Sequence, residues 1–293
     1  MAHKAGFVNI IGSPNVGKST LMNALVGERV SIINAKAQTT RHRIMGIVSG
    51  EDFQIVYSDT PGVLNPAYKM QEGMMGFVNA AFQDADIFIL VTDLNEDQPA
   101  VPDIVERLNK QSVPVFVLVN KIDLSTQEKV AERLDHWKSL LPNALVAGIS
   151  ALHKYNLDIL FEKILELLPE SPAYFDKEEY TDRSMRFLVS EIIREKILTL
   201  YDKEIPYSSE VVVESFKEEE HITRISAVVY VTRDSQKGII IGHQGKMIKL
   251  LGTKARKEME EFLGKKVFLE LFVKVQKNWR DDERHLKNFG YIN

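Results

Sequence analysis

The segment that most constrains this chain is Gly12-Ser-Pro-Asn-Val-Gly17-Lys18-Ser19, set directly after the apolar run Phe7 to Ile11 and opening the amphipathic stretch Ser19 to Val26. It matches the phosphate-loop pattern, in which a strand runs into a glycine-rich turn and then a helix. Glycine lets the backbone wrap closely enough for its N–H groups to face phosphate oxygens, and the helix amino terminus adds a favourable dipole. On this reading Gly12, Asn15, Val16 and Gly17 wrap the phosphates of a nucleotide, with Thr20 following in the same turn. Lys18 bridges the β- and γ-phosphates as a catalytic cation, and Ser19 places its hydroxyl on magnesium.

The surrounding pattern fits such a loop. Phe7 to Ile11, Gln54 to Tyr57, Ile87 to Val91, Val115 to Val119 and Leu145 to Ile149 read as strands buried on both faces. Amphipathic stretches alternate with them: Ser19 to Val26, Met70 to Phe82, Asp103 to Lys110, Gln127 to Leu141 and Leu157 to Leu168. Strand and helix in alternation predict a doubly wound, mostly parallel α/β sheet. Ile44 to Val48 and Phe53 to Tyr57, with Gly50 between them, read instead as a hairpin adding an antiparallel edge, about six strands in all.

Two further motifs stand at strand ends, where ligands bind in open α/β sheets. Asp59-Thr60-Pro61-Gly62 puts a carboxylate within reach of the magnesium shell and offers the Gly62 amide to the γ-phosphate. Asn120-Lys121-Ile122-Asp123 selects the base. The Asp123 carboxylate can accept from N1–H and the exocyclic amine of guanine; adenine offers neither donor there, so GTP and GDP are preferred over adenine nucleotides. Ser150, Ala151 and Leu152 complete the base pocket through backbone contact to the guanine oxygen.

The chain has 293 residues, 44% hydrophobic and 27% charged, which suits two soluble globular domains and excludes collagenous, low-complexity and disordered classes. The start lacks the pattern of an export signal, and no apolar run approaches a membrane span, so a cytoplasmic protein is expected. With no cysteine, any metal needs oxygen or histidine ligands, and a hard cation such as Mg2+ is the expectation. His42, His221 and His285 are too scattered to hold one.

At Pro169-Glu-Ser-Pro172 the alternating pattern breaks. The expected division is a nucleotide-binding domain over 1–170, a linker over 171–183 and a second domain over 184–293. Charge divides as well: 15 Lys and Arg against 20 Asp and Glu over 1–170, 7 against 13 over 171–220, and 15 against 8 over 221–293. A basic last quarter points to a polyanion partner.

That quarter contains Ile239-Ile240-Ile241-Gly242-His243-Gln244-Gly245-Lys246. Beyond the linker the elements read as a helix (Arg186 to Leu200), strands Val211 to Phe216 and Arg224 to Val231, a glycine-punctuated segment, a helix (Met247 to Phe262) and a strand (Lys266 to Val273). A Gly-x-x-Gly loop in this α+β order is similar to the type II KH domain, whose loop clamps the backbone of a few unpaired nucleotides. By that similarity Lys237, Gly238, Ile241, Gly242, His243, Gln244, Gly245, Lys246 and Lys249 contact RNA, backed by Lys254, Arg256 and Lys257. In the tail, Trp279 and Tyr291 are candidate base-stacking rings, with packing in a terminal helix the competing role for Trp279.

Over residues 6 to 168 the motifs, in this order, resemble the translation-factor-like branch of small regulatory GTPases. The resemblance makes Lys36-Ala-Gln-Thr39-Thr40-Arg41 the first switch, with Thr40 meeting magnesium and Thr39 its competitor. Val63 stands where many such GTPases carry a water-orienting glutamine, so slow intrinsic hydrolysis is expected. Asn15 is similar to the asparagine that holds K+ in some of them. The whole chain, through Gln38-Thr-Thr-Arg-His-Arg43 and the KH segment, resembles the Era family of bacterial ribosome-assembly GTPases. That resemblance implies a monomeric GTPase binding single-stranded RNA near the 3′ end of 16S rRNA, acting in maturation of the 30S subunit, with peripheral association with the inner membrane. A membrane or cell-cycle signalling GTPase with incidental RNA affinity is the alternative.

Overall fold

Six strands form the sheet of the amino-terminal unit: β1 Lys4–Ile11, β2 Ile44–Ser49, β3 Phe53–Asp59, β4 Ile87–Asp93, β5 Val115–Asn120 and β6 Leu145–Gly148. The structure is a computed structural model that describes residues 2–97 and 103–292. Its contacts divide it into two compact units, Met1–Ala67 with Gln71–Asp182, and Tyr68–Met70 with Arg183–Asn293.

In the first unit the strand order is β2-β3-β1-β4-β5-β6, parallel throughout except for the antiparallel β2–β3 pair. Helices α1 Lys18–Val26, α2 Lys69–Ala81 (in this unit from Gln71 on), α3 Asp103–Asn109 and α4 Gln127–Leu140 run between strands, and α5 Leu157–Leu167 follows β6. Parallel strands deliver their carboxyl ends to one edge of the sheet, and pairing of Ile10 with Asp59 and of Asp93 with Asn120 sets the motifs at similar height there. β2 closes on β3 through a tight turn in which the Gly50 N–H donates to the Phe53 carbonyl at 2.8 Å.

One strand departs from the expectation of burial on both faces. β6 alternates between exposed and half-buried, with Leu145 42% exposed. It is the last strand of the order and, among the described residues, pairs only with β5, so no described strand continues the sheet beyond it. The opposite edge is covered. Residues 174–182 run along the hairpin: Gln54 bonds the backbone of Tyr174 and Phe175, Ile47 N–H donates to the Tyr180 carbonyl at 3.0 Å, and the Thr181 hydroxyl donates to Met45 O at 2.7 Å. The acidic, aromatic segment after the two prolines is thus pinned to the first unit up to Asp182.

The second unit has a three-stranded sheet, β7 Glu210–Glu218, β8 Ile222–Val231 and β9 Lys266–Val275, in the order β7-β8-β9, with β8 and β9 parallel. Helices α6 Met185–Leu200, α7 Ile205–Ser208, α8 Asp234–Ile241, α9 Lys246–Leu263 and α10 Glu283–Asn288 accompany it. Ser184 caps α6 by accepting from the Phe187 N–H. α7 and α10 are too short to leave a helical period in the sequence, and sequence reading passes over them. Ile193, Ile197, Ala227, Val229, Leu251, Ala255 and Met259, each no more than 1% exposed, make the core between α6, α9 and the sheet.

The tail corrects one expectation. Trp279 is fully buried, donates its indole N–H to the Ser208 carbonyl at 3.0 Å and meets Phe289 edge-on. Tyr291 is buried too and donates to Glu210 Oε2 at 2.5 Å. Neither ring is available to a base; the tail is a packed plug, as a buried aromatic with a satisfied polar tip favours. No helix among the described residues is long and apolar enough to cross a membrane.

Candidate functional site

The phosphate loop owes its shape to backbone that only small residues tolerate. Gly12 and Gly17 have φ of +147° and +102°, and Asn15 sits at +65°. A Cβ on Gly12 would lie 2.2 Å from the Val91 carbonyl oxygen, and one on Gly17 would lie 2.2 Å from Asn120 Nδ2. The third close approach is at Gly62, where a Cβ would meet the Pro14 backbone at 2.8 Å. The loop after β3 is therefore packed directly on the phosphate loop, and the Val63 N–H donates to the Gly12 carbonyl at 3.1 Å.

Lys18 is buried, 6% exposed, with Nζ donating to the carbonyls of Gly12 at 3.0 Å and Ser13 at 2.7 Å. Burial pulls its ammonium down to about 8, against the pull of the Asp59 and Glu96 carboxylates. Beside it Asp59 is fully buried, and burial pushes its carboxyl up, while the Ser19 hydroxyl, donating at 2.6 Å, holds it down.

Ser19, Thr40 and Asp59 converge. Thr40 Oγ1 lies 2.8 Å from Ser19 Oγ and donates to Asp59 Oδ2 at 3.2 Å. Thr39 lines the same cavity but donates its hydroxyl to the Lys36 carbonyl at 2.6 Å, so of the two adjacent threonines the structure brings the Thr40 hydroxyl to the cluster. Asp59 Oδ1 is buried and meets no donor in hydrogen-bond geometry, although the Ser31 hydroxyl stands near enough to help hold the carboxyl down. An oxygen-only donor set with one buried lone-pair site open fits a hard cation such as magnesium. Among the described residues there is no group of three or more His, Asp or Glu side chains that could hold a metal ion.

The cavity of about 330 Å³ over this cluster is lined by Pro14, Asn15, Gly17, Lys18, Ser19, Thr20, Thr39, Thr40, Gly62 and Lys121, with a wall from Ile32 to Ala35. That wall was invisible in sequence, because a loop without periodicity shows its facing residues only once folded. Lys121, at φ +64°, lays its Nζ on the Asn15 carbonyl at 2.7 Å and on Asp93 at 3.0 Å. Asn120, Asp123, Ser150, Ala151 and Leu152 lie outside the lining but stand together. Asn120 bonds the Ala151 N–H, and a hydrogen bond from the Ser150 hydroxyl holds the Asp123 carboxyl below the usual range. The Leu152 side chain is 73% exposed, so only its backbone is positioned. Val63, 2% exposed, packs with Ile11, Val78 and Leu90 in the core, so its side chain orients nothing at the phosphates.

In the second unit Gly242, Gln244 and Gly245 all have positive φ, of +71°, +51° and +72°, which turns the chain sharply between α8 and α9. His243, Gln244, Lys246 and Lys249 are exposed; Ile241 packs against the core and Gly238 lies one helical turn before Gly242. Next to the loop, Ile248, Lys249, Gly252, Thr253, Arg256, Leu269 and Leu271 line a groove of about 330 Å³ between α9 and β9. An apolar floor with a basic rim suits bases with their phosphates. Of the three cations further along α9, only Arg256 reaches it; Lys254 and Lys257 do not line it. The floor, from β9, is what sequence reading missed. Strand alternation in Lys266–Val275 carried the signal, but not which helix it would face.

Comparison with known proteins agrees with this picture. Residues 7–121 match the family described as 50S ribosome-binding GTPase, and residues 204–280 match the KH domain family. The chain is 46% identical to GTPase Era of Syntrophus aciditrophicus over 98% of its own length and 95% of that protein. It is 43% identical to GTPase Era of Clostridium kluyveri over 98% and 99%. Among solved structures, Era in complex with MgGDPNP and nucleotides 1506–1542 of 16S ribosomal RNA superposes with a TM-score of 0.94 at 36% identity, covering 99% of this chain and 100% of that one. A variant of Aquifex aeolicus Era bound to GDP.AlF4- gives the same TM-score, identity and coverage. With identity of this extent over the full length of both chains, this protein belongs to the Era family of GTPases.

Proposed function

We propose that the protein is a GTP-hydrolysing switch that binds single-stranded RNA near the 3′ end of 16S rRNA and acts in assembly of the small ribosomal subunit. The observation that carries the reading is the convergence of Ser19, Thr40 and Asp59 beneath the phosphate loop, with Lys18 beside them. There the three oxygens would hold Mg2+, whose charge offsets that developing on the β- and γ-phosphates. Lys18 balances the same charge, Gly62 keeps its loop against Pro14, and Asp123 reads guanine. With Val63 in the core, no side chain at that position orients the attacking water, and turnover is slow. A K+ ion beside Asn15 is an added expectation, checked by exchanging K+ for Na+ in the hydrolysis assay.

The Gly-x-x-Gly turn and the α9–β9 groove support the RNA part, as does the relative solved with 16S rRNA nucleotides. The reading extends to the 30S subunit as target, a monomeric and cytoplasmic protein, and peripheral contact with the inner membrane; subunit profiles and fractionation after depletion test these.

The direct experiment is binding of a short single-stranded RNA copying the 3′ end of 16S rRNA with GTP analogue, GDP or no nucleotide. Binding strengthened by the GTP analogue supports a switch. Equal binding in all three would leave two independent modules, and no binding would remove the RNA assignment.

A further inference from the structure

Arg43 lies two residues beyond the first-switch segment Lys36 to Arg41 and is the residue just before β2. Its guanidinium, 9% exposed, is engaged on every side. Nε donates to Ser58 Oγ at 2.6 Å; Nη1 donates to Asp84 Oδ2 at 2.7 Å; Nη2 donates to Asp84 Oδ1 at 2.9 Å and to Asn9 Oδ1 at 3.0 Å. Asn9 in turn donates to Asp84 Oδ1 at 2.8 Å and to the Ala81 carbonyl at 2.6 Å. One planar side chain thereby joins β1, β3 and the turn that ends α2, using the fork geometry that only arginine offers a carboxylate.

The joined points are the far ends of the two loops that build the magnesium side of the site. Ser58 precedes Asp59, and Arg43 follows Thr40 with only the buried Arg41 and His42 between. Ala81 and Asp84 terminate α2, the helix reached through Asp59-Thr-Pro-Gly62. Thr40, which reaches Ser19 and Asp59, stands three residues before Arg43, and the buried Arg41 and His42 between them make contacts of their own, so Arg43 is one of the anchors that hold this stretch.

We propose that Arg43, with Asp84 and Asn9, is a positioning residue for the hydrolytic site: it fixes where Thr40 and Asp59 meet and so sets the affinity of the GTP-bound state for Mg2+. This rests on the reading of Ser19, Thr40 and Asp59 as the magnesium-side residues. Groups that hydrogen-bond metal ligands directly change metal affinity by about 10- to 100-fold, and Arg43, one step further back, is expected at the low end of that range.

The test compares wild type, Arg43→Lys and Thr40→Ala as full-length proteins, following retention of a fluorescent non-hydrolysable GTP analogue and of fluorescent GDP as Mg2+ is titrated. In Arg43→Lys the Mg2+ midpoint for the GTP analogue should rise about tenfold, GDP affinity should stay within about twofold, and kcat should fall more than KM rises. An unshifted Mg2+ midpoint in Arg43→Lys beside a shifted one in Thr40→Ala would overturn the anchor and leave the site reading standing. Unshifted midpoints in both would remove the site reading, and the anchor with it. Parallel loss of GDP and GTP-analogue affinity in Arg43→Lys would mark a merely structural role. Where Arg43→Lys fails to fold, Asp84→Asn, which leaves the Ser58 and Asn9 bonds in place, should show the same selective Mg2+ shift, and its absence counts equally against the proposal.

Discussion

The side-chain amide of Asn120 donates to the carbonyl oxygen of Val16 at 2.8 Å, across 104 residues of sequence. The same side chain accepts from the Ala151 N–H at 3.0 Å, so one buried amide fixes the phosphate loop against the loop that follows β6. Asn120→Ala would orphan a buried carbonyl and a buried N–H. The expected cost is about 2 kcal/mol or more of stability by denaturant titration, with GTP and GDP affinity falling together because both loops lose their spacing. Loss of one nucleotide's affinity without the other's would assign Asn120 a more local role.

Gly62→Ala is a steric test. The new methyl would meet the Pro14 backbone at 2.8 Å, inside ordinary contact, and backbone cannot yield as a flexible side chain does. Either the phosphate loop or the loop after β3 must move, at a cost of about 1 to 3 kcal/mol. Hydrolysis should fall strongly while GDP affinity falls less, since the γ-phosphate end takes the displacement. Wild-type turnover in this variant would mean the two loops are not held in register.

Lys18 makes nucleotide binding depend on pH. Its folded value of about 8 lies below the ordinary lysine value of 10.5, so the folded protein holds this proton less tightly than the unfolded chain does. The burden on folding is full below pH 8 and is relieved as pH rises from about 8 to 10.5; this group alone makes stability rise across that window. Phosphates favour the ammonium. Binding of GDP should therefore take up a proton above pH 8, and affinity should fall there by up to about tenfold per pH unit. Calorimetry at pH 9 in buffers of different ionisation enthalpy reads the proton directly, and zero uptake would show Lys18 already charged before nucleotide arrives.

The two glycines of the Gly-x-x-Gly turn separate packing from chemistry. A Cβ on Gly242 would lie 2.6 Å from the Met247 side chain, whereas one on Gly245 meets nothing within 4 Å. Both have positive φ, so Gly245→Asp carries a backbone cost of about 1 kcal/mol and little else. It should leave the unit folded by thermal melting and weaken RNA binding at least about tenfold through repulsion of phosphate. Unchanged RNA affinity in a folded Gly245→Asp protein would take the loop out of the interface.

Where sequence reading succeeded, the cause was local. Gly12, Gly17 and Lys18 read as a phosphate loop because glycine at positive φ after a buried strand is a property of adjacent residues, and the parallel sheet then places Asp59 and Asn120 at the same edge. The doubly wound fold and its antiparallel edge hairpin were legible for the same reason, as runs of period and composition. The Gly-x-x-Gly turn was too, because its positive φ values need no distant partner.

What sequence left open was decided by contacts between distant residues. Adjacent Thr39 and Thr40 have identical side chains, and only the path of the loop sends one to Asp59 and the other to the Lys36 carbonyl. Trp279 reads as a stacking ring or, by a small margin, as a packed plug, and Ser208, 71 residues away, supplies the acceptor that lets its indole be buried. The exposure of β6 follows from its place at the sheet edge, which no period encodes. The Arg43 fork draws on Asn9, Ser58 and Asp84 from three separate elements. Sequence by itself determined which local backbones and chemistries were possible; the tertiary structure decided which of them meet, because burial and hydrogen-bond partners are set by neighbours in space.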